Sequence, residues 1–103
     1  TIYCTETDHH GSRPLAEWLV DLAKERGLAG TTVFRGSIGF GQHRRIHAQH
    51  LLSIVNELPM AVEVIDEAAK IEALLEAAGE ALDGYTFIRE PVRWRRPVRR
   101  ADD

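Results

Sequence analysis

Ser12-Arg13-Pro14-Leu15-Ala16-Glu17-Trp18-Leu19-Val20-Asp21-Leu22-Ala23-Lys24-Glu25-Arg26-Gly27 is the stretch from which the other elements are placed. Leu15, Trp18, Leu19, Leu22 and Ala23 fall at i, i+3, i+4, i+7 and i+8, which is one apolar stripe on a helix. Glu17, Asp21, Lys24 and Glu25 occupy the other side. Ser12 with Pro14 just after it is a helix-start signature, and Gly27 suits the left-handed residue that follows a helix end. Before this helix, residues 1–7 (TIYCTET) alternate and are rich in β-formers, which predicts a strand, and Asp8-His9-His10-Gly11 predicts a turn. After it, Thr31-Thr32-Val33-Phe34-Arg35-Gly36-Ser37-Ile38 predicts a second strand.

Further out, Leu58-Pro59-Met60-Ala61-Val62-Glu63-Val64-Ile65 predicts a third strand, with Pro59 confined to its start. Asp66 can cap a second helix on which Ile71, Leu74, Leu75, Ala78 and Leu82 share a face, although Gly79 weakens its last turns. Asp83-Gly84 is a turn, and residues 85–89 predict a fourth strand. The order β-α-β-β-α-β predicts one α+β domain over residues 1–103. Its form is ferredoxin-like, an antiparallel four-stranded sheet with two helices on one face. The other sheet face is then uncovered. Tyr3, Val33, Ala61 and Ile65, mixed with Arg35 and Glu63, are its candidate residues, and a half-apolar open face suggests burial by another copy. The alternative is a monomer with a solvated amphipathic face.

Composition bounds the possibilities. The chain has 103 residues, 44% hydrophobic and 28% charged, which suits one globular core. No apolar run reaches the roughly 18 residues of a membrane span, so no membrane insertion is expected. The opening Thr1-Ile2-Tyr3-Cys4 lacks a basic, apolar leader pattern, which makes the cytoplasm the expected compartment. The single Cys4 excludes an internal disulfide and a multi-cysteine zinc site, and is expected to be a buried small hydrophobe.

The net charge of −3 hides an uneven distribution. Residues 1–88 carry 7 basic and 13 acidic side chains, whereas residues 89–100 carry six Arg and one Glu. Guanidinium forks bind phosphates, and Trp94 among the arginines could stack on a base. Three other readings compete: a solvated tail, pairing with the acidic body of a neighbouring subunit, and non-specific nucleic-acid binding. Inter-subunit pairing is the simplest. An acidic body would repel nucleic-acid phosphates at a pI near 5.9, so no nucleic-acid partner is expected.

Residues 42–57 fit neither the helical nor the strand period and predict a long loop, and loops this long in a small domain are more often functional than accidental. Gly36, Gly39 and Gly41 lie at its base, where successive N–H groups can form an anion-binding nest with Arg44 and Arg45 nearby. A bulge or tight turn is the alternative. His43, His47 and His50 fall at i, i+4 and i+7, a spacing that could hold zinc or copper, or make the loop respond near pH 6.5, the reference imidazole pKa. His9 and His10 read as polar loop residues. No catalytic constellation is visible, so no enzyme is expected. Ser37 and Ser53 lack a nucleophile-elbow context, and Cys4 lacks a placed base. Glu6, Glu63 and Glu90 lie on different strands, and charged strand residues usually face solvent or pair with arginines such as Arg35.

Three segments resemble the trimeric PII signalling proteins. Gly39-Phe40-Gly41, followed by Gln42, looks like their glycine-phenylalanine-glycine lead into a regulatory loop. Leu58-Pro59 with Val62-Glu63-Val64 looks like the return, and Asp83-Gly84-Tyr85-Thr86-Phe87 resembles the Asp-Gly-Lys-x-Phe phosphate turn. A closer resemblance is to the PII-like family catalogued as the domain of unknown function number 190. It runs through Thr32-Val33-Phe34-Arg35-Gly36, Gly39-Phe40-Gly41, Ile46-His47, Leu58-Pro59 and Lys70-Ile71-Glu72. The resemblance implies a homotrimer with three inter-subunit clefts. It implies a small anionic ligand there, ATP, ADP or AMP among the candidates. Gly39, Gly41, Gln42, Arg44, Arg45, Arg93, Arg95 and Arg96 would be its ligand-binding residues, and a transporter or enzyme the regulated partner. Gln42 replaces an arginine common in PII proteins, Tyr85 replaces the lysine, and no tyrosine lies in the loop to be nucleotidylated. A metal-binding trimer resembling the divalent-cation-tolerance proteins, using His43, His47 and His50, is the alternative, with a ligand-free interaction module as a third.

Overall fold

In a computed structural model, residues 1–37 and 58–95 are described. The elements are β1 (Ile2–Thr5), β2 (His9–His10), β3 (Arg13–Pro14), α1 (Leu15–Glu25), β4 (Gly30–Arg35), β5 (Pro59–Ile65) and α2 (Ala68–Ala78), the last running into a 3-10 turn, Gly79–Leu82. The main sheet has the order β1-β5-β4 with both pairings antiparallel. β1 and β4 therefore run parallel with β5 between them, and α1 connects them, which is the split β-α-β arrangement. The described residues form an α+β unit of two helices and antiparallel sheets, compatible with a ferredoxin-like fold. No described helix is long and apolar enough to cross a membrane.

The expected fourth strand is much reduced. Among the described residues the sheet has three strands, and residues 85–89 contribute one antiparallel bridge, Phe87 opposite Ile2. Tyr3 N donates to Thr86 O (2.9 Å) and Ile88 N to Thr1 O (2.9 Å), which flank that bridge. The pairing stays short for local reasons. Tyr85 N is committed to Leu82 O (3.1 Å) in the preceding turn, and Pro91 has no N–H to extend the ladder.

Helix starts also differ from expectation. Ser12 is not a cap: Gly11 and Ser12 sit at the tip of the β2–β3 hairpin, in which His9 faces Pro14 and His10 faces Arg13. Pro14 precedes the helix with no side-chain cap, and the Leu15 N–H donates instead to Asp8 O at 2.8 Å. At the other end Gly27 (φ 71°) closes α1 as its sequence position suggests. Gly27 N donates to Lys24 O (3.1 Å) and Leu28 N to Ala23 O (3.0 Å), the paired bonds of a Schellman stop. Asp66 does not cap α2 either. Glu67 takes that position, and Asp66 accepts from Glu67 N (2.6 Å) and Ala29 N (2.8 Å), tying the α1–β4 turn to the end of β5.

The core lies between the sheet and α1, with the end of α2 closing it. Ile2, Cys4, Leu15, Ala16, Leu19, Val62, Ala78 and Leu82 form the buried cluster, and Leu15, Leu19 and Val62 are fully enclosed. Each such side chain contributes about 1.5–3 kcal/mol by leaving water. The register corrects the composition of the outer face. Tyr3 and Phe34 both oppose Ala61, so these three form one cross-strand row, with Glu63 and Ile65 further along β5 on the same side. Val33 opposes Val62 and Arg35 opposes Met60, which puts both on the helix side rather than the outer face. Tyr3 (44%) and Phe34 (53%) are well exposed, so this apolar row faces outward.

Candidate functional site

β4 and β5 come together at the positions that flank residues 38–57, and the long loop expected over 42–57 lies outside the described residues. Gly36 N donates to Pro59 O at 2.8 Å, so the ladder is closed next to the residues that flank 38–57. The chain needs only a short turn to join two such strands. Gly36 is required by this closeness: a Cβ there would lie 2.7 Å from Pro59 Cγ. Arg35 reaches back across β5 to Glu6 (3.1 Å), and Glu6 N donates to Leu58 O (3.0 Å). Three chain segments are thereby stitched together at the end of the β4–β5 ladder, where Glu6 and Arg35 form a charge pair.

A second cluster forms around Asp8. Its Oδ2 accepts from Thr5 N (2.7 Å) and Thr5 Oγ1 (3.1 Å), and Tyr85 donates its hydroxyl to the same carboxylate. Burial first, and then the Asp8 bond and charge, push the Tyr85 phenol up to about 12. Burial, with a smaller contribution from Asp8, raises the Cys4 thiol to about 11, so Cys4 is the inert core residue expected of it. Tyr85 thus anchors the Asp83-Gly84-Tyr85 turn onto the end of β1. Asp8 was missed as a joining residue because the sequence shows only that it lies in a turn. Its spacing of three from Thr5 is the one signal that could have revealed it.

The third feature is a groove of about 910 Å³ between the end of β5, α2 and residues 87–94. Its walls are mainly apolar, including Val64, Ile71, Leu75, Phe87, Val92 and Trp94. Glu63 and Glu67 stand among its lining residues. Arg89, the first of the arginines, forms an ion pair with Glu72 on α2, which holds the start of the basic segment against the acidic body of its own chain.

Of the ligand-binding residues expected from the sequence, Arg93 and Arg95 are described, and both are exposed. Gly39, Gly41, Gln42, Arg44, Arg45 and Arg96 lie outside the described residues, as do His43, His47 and His50. Among the described residues no group of three His, Cys, Asp or Glu side chains could hold a metal ion. His10 packs its ring on Trp18 at 4.0 Å between centroids, and His9 Nδ1 lies 2.6 Å from Thr7 O, so both histidines serve the β2–β3 hairpin.

The comparisons with known proteins converge on one family. The family model described as DUF190, "Uncharacterized ACR, COG1993", matches residues 1–94. A protein of Aquifex aeolicus (strain VF5) named "UPF0166 protein" is 40% identical over 75 residues, covering 73% of this chain and 71% of that relative. A second protein of that name from the same organism is 34% identical over 69 residues, covering 67% of this chain and 72% of the relative. The Gly36–Pro59 closure and the Asp83-Gly84-Tyr85 turn both fall within the matched span, and the chain belongs to the DUF190 family.

Proposed function

We propose that this chain is a PII-like homotrimeric sensor. It binds a small anionic ligand at the clefts between copies, an adenine nucleotide foremost, and presents residues 42–57 to a regulated transporter or enzyme. The observation that carries this is the closed end of the β4–β5 ladder at Gly36 and Pro59. Gly36 and Pro59 are already hydrogen-bonded, so a short turn would suffice to join β4 and β5, and the sequence places many more residues between them than connectivity requires. The outward row of Tyr3, Ala61 and Phe34 supports self-association, because an apolar sheet face on so small a domain is stabilised by covering it. The family resemblance supports the trimer and the ligand class. Ligand and partner are coupled to the extent that both favour the same state of the loop.

The test has two parts. Light scattering should return the mass of three chains. Calorimetric titration with ATP, ADP and AMP should give saturable binding by at least one of them below about 1 mM. A monomer in solution refutes the assembly, and an absence of heat with all three nucleotides at millimolar concentration refutes the ligand class.

A further inference from the structure

Among the described residues, Arg13, Arg35 and Arg89 are paired with Asp21, Glu6 and Glu72. Arg93 and Arg95 are exposed and make no ion pair among the described residues. On the acidic side, Glu63 stands in the central strand β5. It is half-buried and likewise makes no ion pair among the described residues. It shares the outer sheet face with Ala61 and Ile65 and lies opposite Thr32. A carboxylate in this position is tolerated while water reaches it. Once the face is covered it becomes costly unless a cation accompanies the cover.

The cation is supplied by the chain itself. Val92 and Trp94 line the same groove as Glu63 and Ile65, and Arg93 and Arg95 alternate with them along the chain. Apolar side chains that can cover a face therefore travel with guanidiniums that can neutralise it. We infer that in the assembled protein Glu63 of one copy receives Arg93 or Arg95 of the next. The occupant of this surface is thus a second copy of the chain, a choice that rests on the trimer proposed above. The charges are complementary: Glu63, Asp66 and Glu67 border the groove from β5 and the start of α2, Arg89 beside them is already paired with Glu72, and the segment that would approach carries Arg93 and Arg95. A guanidinium can meet a carboxylate through two parallel bonds, which fixes orientation as well as charge. A contact in which one copy's basic segment meets a different patch on its neighbour is heterologous. Such contacts close into a ring when the rotation permits.

The experiment is sedimentation equilibrium on the wild-type chain, Glu63→Lys, the pair Arg93→Glu with Arg95→Glu, and all three changes combined. Circular dichroism confirms the fold of each, and Glu63→Gln serves as the milder variant. The expected result is that either charge reversal weakens assembly by about thirtyfold or more, the scale of a broken desolvated charge pair. The combined variant should recover most of that loss, and Glu63→Gln should fall between. A trimer whose assembly is unchanged by both reversals, or a combined variant that recovers nothing, overturns the inference while leaving the trimer standing. A monomeric wild-type chain overturns both together. Pairing within a single copy would leave the oligomeric state unmoved by every variant, which also overturns the inference.

Discussion

Replacing Asp8 by Asn changes one charge and leaves the shape of the side chain almost intact, so its effects report on the Asp8 carboxylate rather than on packing. Both bonds from Thr5 reach the same oxygen, Oδ2, at 2.7 and 3.1 Å, and an Asn oxygen placed there can still accept them. What is lost is the negative charge beside Tyr85 and Cys4. The Tyr85 phenol stands near 12, with burial as the largest cause and the Asp8 bond and charge after it. Asp8→Asn should therefore lower the Tyr85 pKa without returning it to the reference value near 10. The assay is absorbance titration of the phenolate in a Tyr3→Phe background, since Tyr3 and Tyr85 are the two tyrosines of the chain. Asp8→Ala removes the bonds as well, and should cost about 2 kcal/mol, toward the middle of the range for polar groups left without a partner. That corresponds to a fall of roughly 10 °C in Tm for a domain of this size. The pH dependence has a definite sign. The folded-state pKa of Tyr85 is raised above its unfolded value, so its contribution is fully present below about pH 10 and is lost as pH rises through about 12. The Asp8→Asn chain should lose stability less steeply across that window. An unmoved Tyr85 titration in Asp8→Asn would refute the link between the β1 end and the 83–85 turn.

Three further changes test other joints of the fold. Gly36→Ala puts a Cβ 2.7 Å from Pro59 Cγ and should cost about 1–3 kcal/mol in denaturant melts, with Pro59→Ala restoring part of it; equal stability of the single and double variants would show that the strands part freely. Leu15→Ala empties a fully enclosed site and should cost about 2–5 kcal/mol, measured by chemical unfolding. Cys4, with its thiol near 11, should alkylate about 200-fold more slowly in the folded chain than in the unfolded one at about pH 8; matching rates would place it outside the core.

Much of the architecture was legible because it depends on periodicity. Of the stripe from Leu15 to Ala23, Leu15, Leu19 and Ala23 are buried and Trp18 and Leu22 are half-buried against the core, and Gly27 ends α1 through the bonds its position suggests. Local chemistry was less legible where two groups compete for one role. Ser12 is a good cap by type, yet the hairpin places it at a tip and the first helical N–H goes to Asp8 O. Asp66 is a good cap by type, yet its carboxylate also serves Ala29, which is 37 residues away in sequence. Register was invisible for the same reason. Alternation shows that Val33 and Phe34 face opposite ways, and only pairing with β5 shows that Phe34 is the outward one. Most of the expected ligand-binding residues, Gly39 to Arg45 with Arg96, lie outside the described residues, and their role rests on the resemblance.

The distribution of charge now connects these pieces. An acidic body followed by an arginine-rich segment first suggested a tail for phosphates or for a neighbour. The pair Arg89–Glu72 shows the basic segment meeting the acidic body within one chain at its first residue. Among the described residues, Arg93 and Arg95 make no ion pair, and the apolar side chains on either side of Arg89 are well exposed: Phe87 at 43%, Val92 at 63% and Trp94 at 41%. Solvated tails have no need of such residues, and an arm for nucleic acid would be opposed by the acidic rim beside it. A segment that is both apolar and basic, next to a face that is both apolar and acidic, is the pattern on which the proposed contact between copies rests. If nucleotide phosphates also reach these arginines, ligand and neighbour compete for the same guanidiniums. Nucleotide binding should then loosen or retune the contact at Glu63, which would give a sensor of this design a direct route from ligand to assembly.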